Sequence, residues 1–517
     1  MRALTTSAVL SSVALGGWLT VAAAQSVGVD PPNANALNSI QSEPATGAED
    51  VPVGVIPQPT VDSPGMVMGV TLGELYTDNL TLAAPGKPEE TSWITQVQPF
   101  FRGAWSGPRL SGVLDYSMTG YLYAGQSNSD QLTQDLKASG VLTIVPQHFF
   151  VDGTASYGRE VINNELSSGA GTFFLNNNNA NVAMGSLSPY WIQDLGNVGT
   201  MTLRYTVGRV IYNDHGISGQ NAGLLDGIPD VSSNGLQFSV ASPEYQTWGW
   251  NIGYSDQRIE PDFGQDVEYA IAKLGTSWQI SNSTKLLADV GKESRFLPDG
   301  TSRKLGANFW DVGFDWSNTR DNLNLMVGHR FYGRSYQFSW TRTAALLTTA
   351  VSYVEQPTDL NQQLLGQNPA QAITSPVGTP GFPSLRERQV YLMKRATVSA
   401  TYTMPTSSLR VALYNEQRTY FILNDNKEKV ANGDIAWQFD IGAFTTLTPT
   451  FGWQRYQFLN GQTSYDHYSQ LALVHQVNPK NFASFRLRRD SRNVYLAAPG
   501  ANGYRVNVIF VQWTHLF

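Results

Sequence analysis

The sequence predicts an all-β protein: a transmembrane antiparallel β-barrel of about 22 strands, within a range of 20 to 24, behind a disordered N-terminal lead-in. Three observations carry this. From Met66 onward the chain repeats one unit, a run of residues alternating apolar and polar and then a turn. Charged residues are only 15 %, aromatic residues reach 11 %, and there are 47 Gly. After the N-terminus no apolar run approaches the roughly 18–20 residues of a membrane helix, so apolar residues are dispersed over alternate positions as in a barrel. The connections also alternate in length, short and then long, as they do when a barrel is threaded from one side of a membrane.

Residues 1–24 carry the parts of a secretory signal peptide. Arg2 opens a basic start, Val9, Leu10, Val13, Ala14, Leu15 and Leu19 form an apolar stretch, and Ala22-Ala23-Ala24 offers a small-residue cleavage site before Gln25. The chain has no Cys, hence no lipoprotein acylation site and no disulfide framework. Residues 25–65 read as a disordered periplasmic linker. Seven prolines (31, 32, 44, 52, 57, 59 and 64) stand among Asn, Ser and acidic residues with no apolar period, too little apolar surface to offset the entropy of ordering. A TonB-dependent transporter would need a plug of well over a hundred residues here, so that reading is disfavoured. Residues 66–517 form the barrel.

Strands are expected near 66–76, 93–105, 109–123, 131–145, 149–161, 183–194, 198–212, 234–242, 247–258, 266–280 and 283–294. They continue near 303–317, 320–330, 333–343, 347–355, 389–403, 408–420, 428–440, 445–458, 464–477, 481–493 and 503–517. Ser106-Gly107-Pro108, Leu195-Gly196-Asn197, Ser281-Asn282 and Asn478-Pro479-Lys480 are tight connections, whereas 162–180, 213–233, 259–265 and 356–388 are long. The two faces of a strand differ in chemistry. Leu203, Tyr205, Val207 and Ile211 oppose Thr202, Arg204, Thr206 and Gly208; Leu409, Val411 and Leu413 oppose Arg410, Tyr414, Glu416 and Arg418. Arg or Lys on the lipid face costs about 2–4 kcal/mol at mid-bilayer, so the polar set is expected in the lumen. Several of Trp248, Trp250, Trp310, Trp316, Trp340, Trp437, Trp453 and Trp513 are expected in interfacial girdles.

No catalytic constellation emerges, and the chain is expected not to be an enzyme and to need no cofactor. The six His (148, 215, 329, 467, 475 and 515) are scattered; His467 and His475 share a strand face about 26 Å apart, too far for one metal. Gly86-Lys87 lacks the rest of a phosphate loop. A formal net charge of −7 argues against nucleic acid as a partner. The cluster that stands out is on the penultimate strand: Ser484, Arg486, Arg488, Asp490 and Arg492 share one face, with Phe485 and Leu487 on the other, and Arg410 and Arg418 join them as lumen-facing cations. Guanidinium groups in a pore attract anions and pair with carboxylates or phosphates, so an anionic polysaccharide is one expected partner; bracing of the wall by Arg–carboxylate pairs is the other reading. The proline-containing loop 356–388 either folds inward as a constriction or stands exposed.

The last strand places Ile509, Val511, Trp513, His515 and Phe517 on one face. It resembles the C-terminal assembly signal of bacterial outer-membrane barrels, with Phe517 and Trp513 as its marks. Tyr76-Thr77-Asp78-Asn79-Leu80, Gln98-Pro99-Phe100-Phe101 and Arg330-Phe331-Tyr332-Gly333-Arg334-Ser335-Tyr336 resemble the PEP-CTERM-system-associated outer-membrane β-barrel family, akin to β-barrel porins. That resemblance implies a bacterial outer-membrane location, lipid and the barrel assembly machinery as partners, and an association with exopolysaccharide production; it transfers no site residue. The expected function is a porin-like channel, with exopolysaccharide export as its narrower form. The alternatives are a structural or adhesive surface barrel binding partners through its long loops and, more remotely, an outer-membrane lipid-modifying enzyme.

Overall fold

A computed structural model describes residues 59–125, 129–165, 171–175, 178–213, 228–243, 246–365, 389–422, 426–495 and 503–517. The expected signal peptide, the lead-in up to residue 58, and parts of the long connections, including 214–227 and 366–388, lie outside the described residues.

Alternation of faces becomes a single 22-stranded sheet. In order the strands are β1 (Gly65–Thr77), β2 (Ser92–Ser106), β3 (Leu110–Tyr123), β4 (Gln131–Val145), β5 (Phe149–Val161), β6 (Asn179–Asp194), β7 (Thr200–Asn213) and β8 (Val231–Ala241). Then follow β9 (Trp248–Pro261), β10 (Val267–Ser281), β11 (Thr284–Phe296), β12 (Ser302–Ser317), β13 (Asp321–Arg330), β14 (Gly333–Thr343) and β15 (Leu347–Thr358). A six-residue helix, α1 (Leu360–Leu365), precedes β16 (Tyr391–Met404), β17 (Ser407–Tyr420), β18 (Lys427–Gly442), β19 (Thr445–Gln457), β20 (Thr463–Asn478), β21 (Asn481–Tyr495) and β22 (Tyr504–Leu516). Each strand pairs antiparallel with its neighbours in sequence, and β1 meets β22 from Gly69 opposite Leu516 to Thr77 opposite Val508. The ring is therefore closed. Closure leaves no sheet edge, which matters because an unpaired backbone group in hydrocarbon costs several kcal/mol.

The connections after even-numbered strands are short, and both ends of the barrel sequence lie with them at what we term the turn end. Those after odd-numbered strands gather at the loop end and are mostly longer, although β13 and β14 are joined tightly there. On the outside, Leu203, Tyr205, Val207, Ile211 and Leu413 are exposed, while Thr202, Arg204, Tyr414, Glu416 and Arg418 are buried on the inside. Exposed Trp105, Trp191, Trp248, Trp278, Trp437 and Phe444 gather toward the turn end, with Trp248 stacked on Trp278 at 5.4 Å between ring centres. This is the arrangement of an aromatic interfacial girdle. Trp310 and Trp453 are also exposed but lie within the strands rather than at their ends.

The end of the expected lead-in is ordered where it is described. Val61 sits within a turn closed by paired backbone hydrogen bonds between Thr60 and Ser63 and is buried against Ala104, Val113, Val141, Phe150 and Tyr190 at the turn end. A lone apolar residue has no period, so nothing in the pattern marks it.

Candidate transport lumen

The inner wall is built by strand alternation, which turns every second residue of each strand inward. On β21 this gathers Arg486, Arg488, Asp490 and Arg492, all buried, while Phe485 and Leu487 point outward and are exposed. Each guanidinium is engaged. Arg488 Nε donates to both Asp490 carboxylate oxygens at 3.0 Å and its charge lies over the Tyr468 ring, 4.8 Å from the centre. Arg486 lies over Phe510 at 5.1 Å. Arg492 is 3.7 Å from Asp466 and donates to the backbone carbonyls of Asn164 and Glu165 at 2.6 and 3.2 Å. Those two residues belong to the connection between β5 and β6, so Arg492 ties an in-folded loop to the wall.

Arg418 sits in a second network, on β17. It donates to Glu416 at 2.5 Å and to the Tyr456 hydroxyl at 2.7 Å, and lies 3.6 Å from Glu428. Arg395 joins the same Glu416 at 2.6 Å, and the Tyr414 hydroxyl also donates to that carboxylate. Arg410, lower on the strand and only half-buried, pairs with Asp434 at 3.1 Å. The six residues singled out from sequence thus fall into separate groups, one on β21 and others on β17, and each Arg that meets a carboxylate does so within the wall. Trp513 and Phe517 lie on the outer face of the last strand and just beyond it, both exposed, with the Phe517 N–H donating to the Met68 carbonyl at 3.0 Å across the closing seam.

Further pairings that sequence reading did not identify lie on β10 to β13. Arg330 bridges Glu293 at 2.8 Å and Asp311 at 2.6 Å, and Lys273 pairs with Asp289 at 3.3 Å. The signal available was parity: each of these residues occupies an inward position. Their partnership depends on inter-strand register, which a single strand does not reveal.

At the loop end, segments fold inward. Phe173 and Phe174, between β5 and β6, are fully buried among Tyr121, Tyr123, Val508 and Phe510, and the Tyr123 hydroxyl donates to the Phe173 carbonyl at 2.6 Å. Phe296, Phe331 and Phe421, from the end of β11 and the connections after β13 and β17, meet with ring centres 5.6–5.9 Å apart. Helix α1, the described beginning of the connection between β15 and β16, reaches the wall at β6 and β7; Leu360, Leu364 and Leu365 pack with Val182, Val210 and Val231. The Tyr212 hydroxyl donates to Asn361 at 3.2 Å. Asp359 caps the helix: its carboxylate accepts the Gln362 N–H at 2.7 Å and the Tyr269 hydroxyl at 2.8 Å. Burial pushes the Asp359 carboxyl up to about 6, with those two hydrogen bonds pulling the other way. This connection therefore begins by folding inward.

No family model matches the chain, and no curated protein matches it. Among solved structures it is similar to the ferric enterobactin receptor PfeA from Pseudomonas aeruginosa, in complex with BCV-L6, at 10 % identity with a TM-score of 0.45, over 89 % of this chain and 82 % of that one. It is similar to the siderophore receptor PirA from Acinetobacter baumannii at 9 % identity and a TM-score of 0.45, over 90 % and 81 %. It is also similar to OccK2 (OpdF) from Pseudomonas aeruginosa at 9 % identity and a TM-score of 0.33, over 87 % and 98 %.

Proposed function

We propose that this chain is a bacterial outer-membrane barrel that acts as a porin-like channel, its outer mouth narrowed by in-folded segments. The observation that carries the reading is the division of one closed sheet into an apolar outer face and a charged inner one. Apolar residues outside suit lipid, and polar residues inside supply a path for which no covalent chemistry is needed. The turn end, with its aromatic girdle, is assigned to the periplasmic side. Phe517 and Trp513 are assigned to the strand read by the assembly machinery. Export of an exopolysaccharide is the narrower reading; it rests on the motif resemblance, since the Arg residues of the inner wall are already engaged by the protein itself.

Single-channel recording of the refolded protein in planar bilayers tests this. We expect stable conductance steps, and larger ones when Leu360, Leu364 and Leu365 are all replaced by Ser, which removes the apolar surface that docks α1. Silence in both proteins, each verified as inserted, would overturn the channel and favour a surface barrel that works through its loops. Current block by alginate added to the conducting protein would support polymer passage; unblocked current would leave a channel for small solutes.

A further inference from the structure

One part of the inner wall holds more carboxylates than cations paired with them: Asp289, Glu293, Asp311, Asp315 and Glu355 against Lys273, Arg330 and Lys394. Asp289 on β11 stands directly opposite Asp311 on β12 in the strand register, both inward. Like charges so placed oppose pairing of their strands. The wall accommodates them by construction: the partner of Asp289 on β10 is Gly275, and that of Asp311 on β13 is Gly328. A Cβ at Gly275 would lie 2.2 Å from Asp289 Oδ1, and one at Gly328 would lie 2.0 Å from Asp311 Oδ1. Each carboxylate thus occupies room that a side chain on the adjoining strand would take. Lys273 and Arg330 attend the pair, but Arg330 is shared with Glu293. Further along β12, Asp315 meets the Asn324 amide and no cation among the described ion pairs.

These groups line a cavity of about 230 Å³, where the carboxylates of Asp289, Asp311, Asp315 and Glu355 meet Lys273 and Arg330 in the lining and Lys394, which pairs with Glu355 Oε1 at 3.2 Å, beside it. Polar atoms in its lining are left without partners. Glu355 has a side chain only 2 % exposed, and its Oε2 accepts no hydrogen bond; Arg330, 7 % exposed, has an unpaired Nε; and the buried Oδ1 of Asn324 is unpaired. A buried polar group without a partner is costly, more so when charged, and a ligand that supplies the partner recovers that cost.

We propose that this cavity binds a small polyhydroxylated organic cation, of amino-sugar size. An ammonium answers the surplus of carboxylates, and hydroxyls can both donate to Asn324 Oδ1 and accept from Arg330 Nε. Among the described residues no three carboxylate or imidazole groups converge to hold a metal ion, which favours an organic cation. The volume lies below the ~300–1,000 Å³ of pockets for drug-sized ligands, so the ligand is small. The site needs no open channel, and its test is therefore separate from conductance.

Isothermal titration of the folded full chain in detergent at pH 7, with glucosamine and then with glucose, reads the proposal directly. The two probes match in size and differ in the ammonium. Saturable binding of glucosamine but not of glucose is expected. Asp315→Asn should weaken glucosamine binding by about tenfold or more, as loss of a charge-assisted contact does. Asp434→Asn, on β18 away from the cavity, should leave it unchanged. If Asp315→Asn fails to give a heat-modifiable barrel on gels, Asn324→Ala is read in its place and should weaken binding likewise. No saturation with glucosamine, equal binding of glucose, or unchanged affinity in the variant that folds would overturn the site.

Discussion

Arg418 has no exposed side-chain surface and touches two carboxylates, Glu416 and Glu428, that are themselves buried. Removing one member of such a group strands the others, whose charges then have neither water nor a partner. Arg418→Ala should therefore lower the unfolding free energy by about 3–5 kcal/mol, the usual effect of breaking a buried pair. Arg410 is the contrast on the same strand face. Its pair with Asp434 is about one-third exposed on both sides, so Arg410→Ser should cost no more than about 1 kcal/mol. Urea unfolding of the two variants in the same lipid would compare them, and equal losses would mean that burial does not set the strength of these pairs. The inward orientation of both residues was legible from the sequence because a strand's period is two. Their partners were not: Glu428 reaches Arg418 because those residues face each other in the β17–β18 register, and register is a property of two strands together.

At the scale of elements, the turn-side ends of the strands were read closely and the loop-side ends less so. β6 begins at Asn179 rather than 183, β8 at Val231 rather than 234, and β9 and β15 run to Pro261 and Thr358 rather than 258 and 355. Toward the loop end both faces of a strand can be polar or both buried under loops, and the alternation that marks the strand fades. Helix α1 was illegible for a related reason. Its six residues make fewer than two turns, and its burial comes from β6 and β7, far away in sequence. Its cap, Asp359, couples docking to pH. Buried, its carboxyl titrates near 6 against an ordinary 3.8, so the docked helix prefers the protonated acid. That preference is fully present below about 3.8 and is lost as pH rises through about 6. The groups facing Asp359 are the Tyr269 hydroxyl and the backbone N–H groups of Gln362 and Asn361, and none of them changes charge in this window. A spin label on Gln362→Cys, unique in a chain without native Cys, should gain mobility between pH 4.5 and 7.5. Adding Asp359→Asn, which keeps the capping oxygen, should flatten the response; an undiminished pH response in the double variant would assign the titration elsewhere.

For the whole molecule, the closed ring and its two unlike faces followed from sequence because they are the sum of a local rule repeated strand after strand. What fills the ring did not, because Phe173, α1 and Val61 each reach the inner wall through contacts that no local period encodes. The same separation of faces makes the membrane position itself testable. Leu413 is exposed near the middle of β17, where the outer face should meet acyl chains, whereas Phe444 is exposed in the turn between β18 and β19. A lipid-facing Arg costs about 2–4 kcal/mol at the bilayer midplane and about 0–1 near the interface. Leu413→Arg should therefore destabilise the barrel in liposomes by about the first amount, and Phe444→Arg by about the second. In water both sites would accept Arg at similar small cost, since an exposed charge keeps its hydration. Denaturant titration of both variants thus distinguishes a barrel seated in lipid at the height of Leu413 from one whose outer apolar face meets another protein or solvent: only lipid makes the penalty depend on height along the strand.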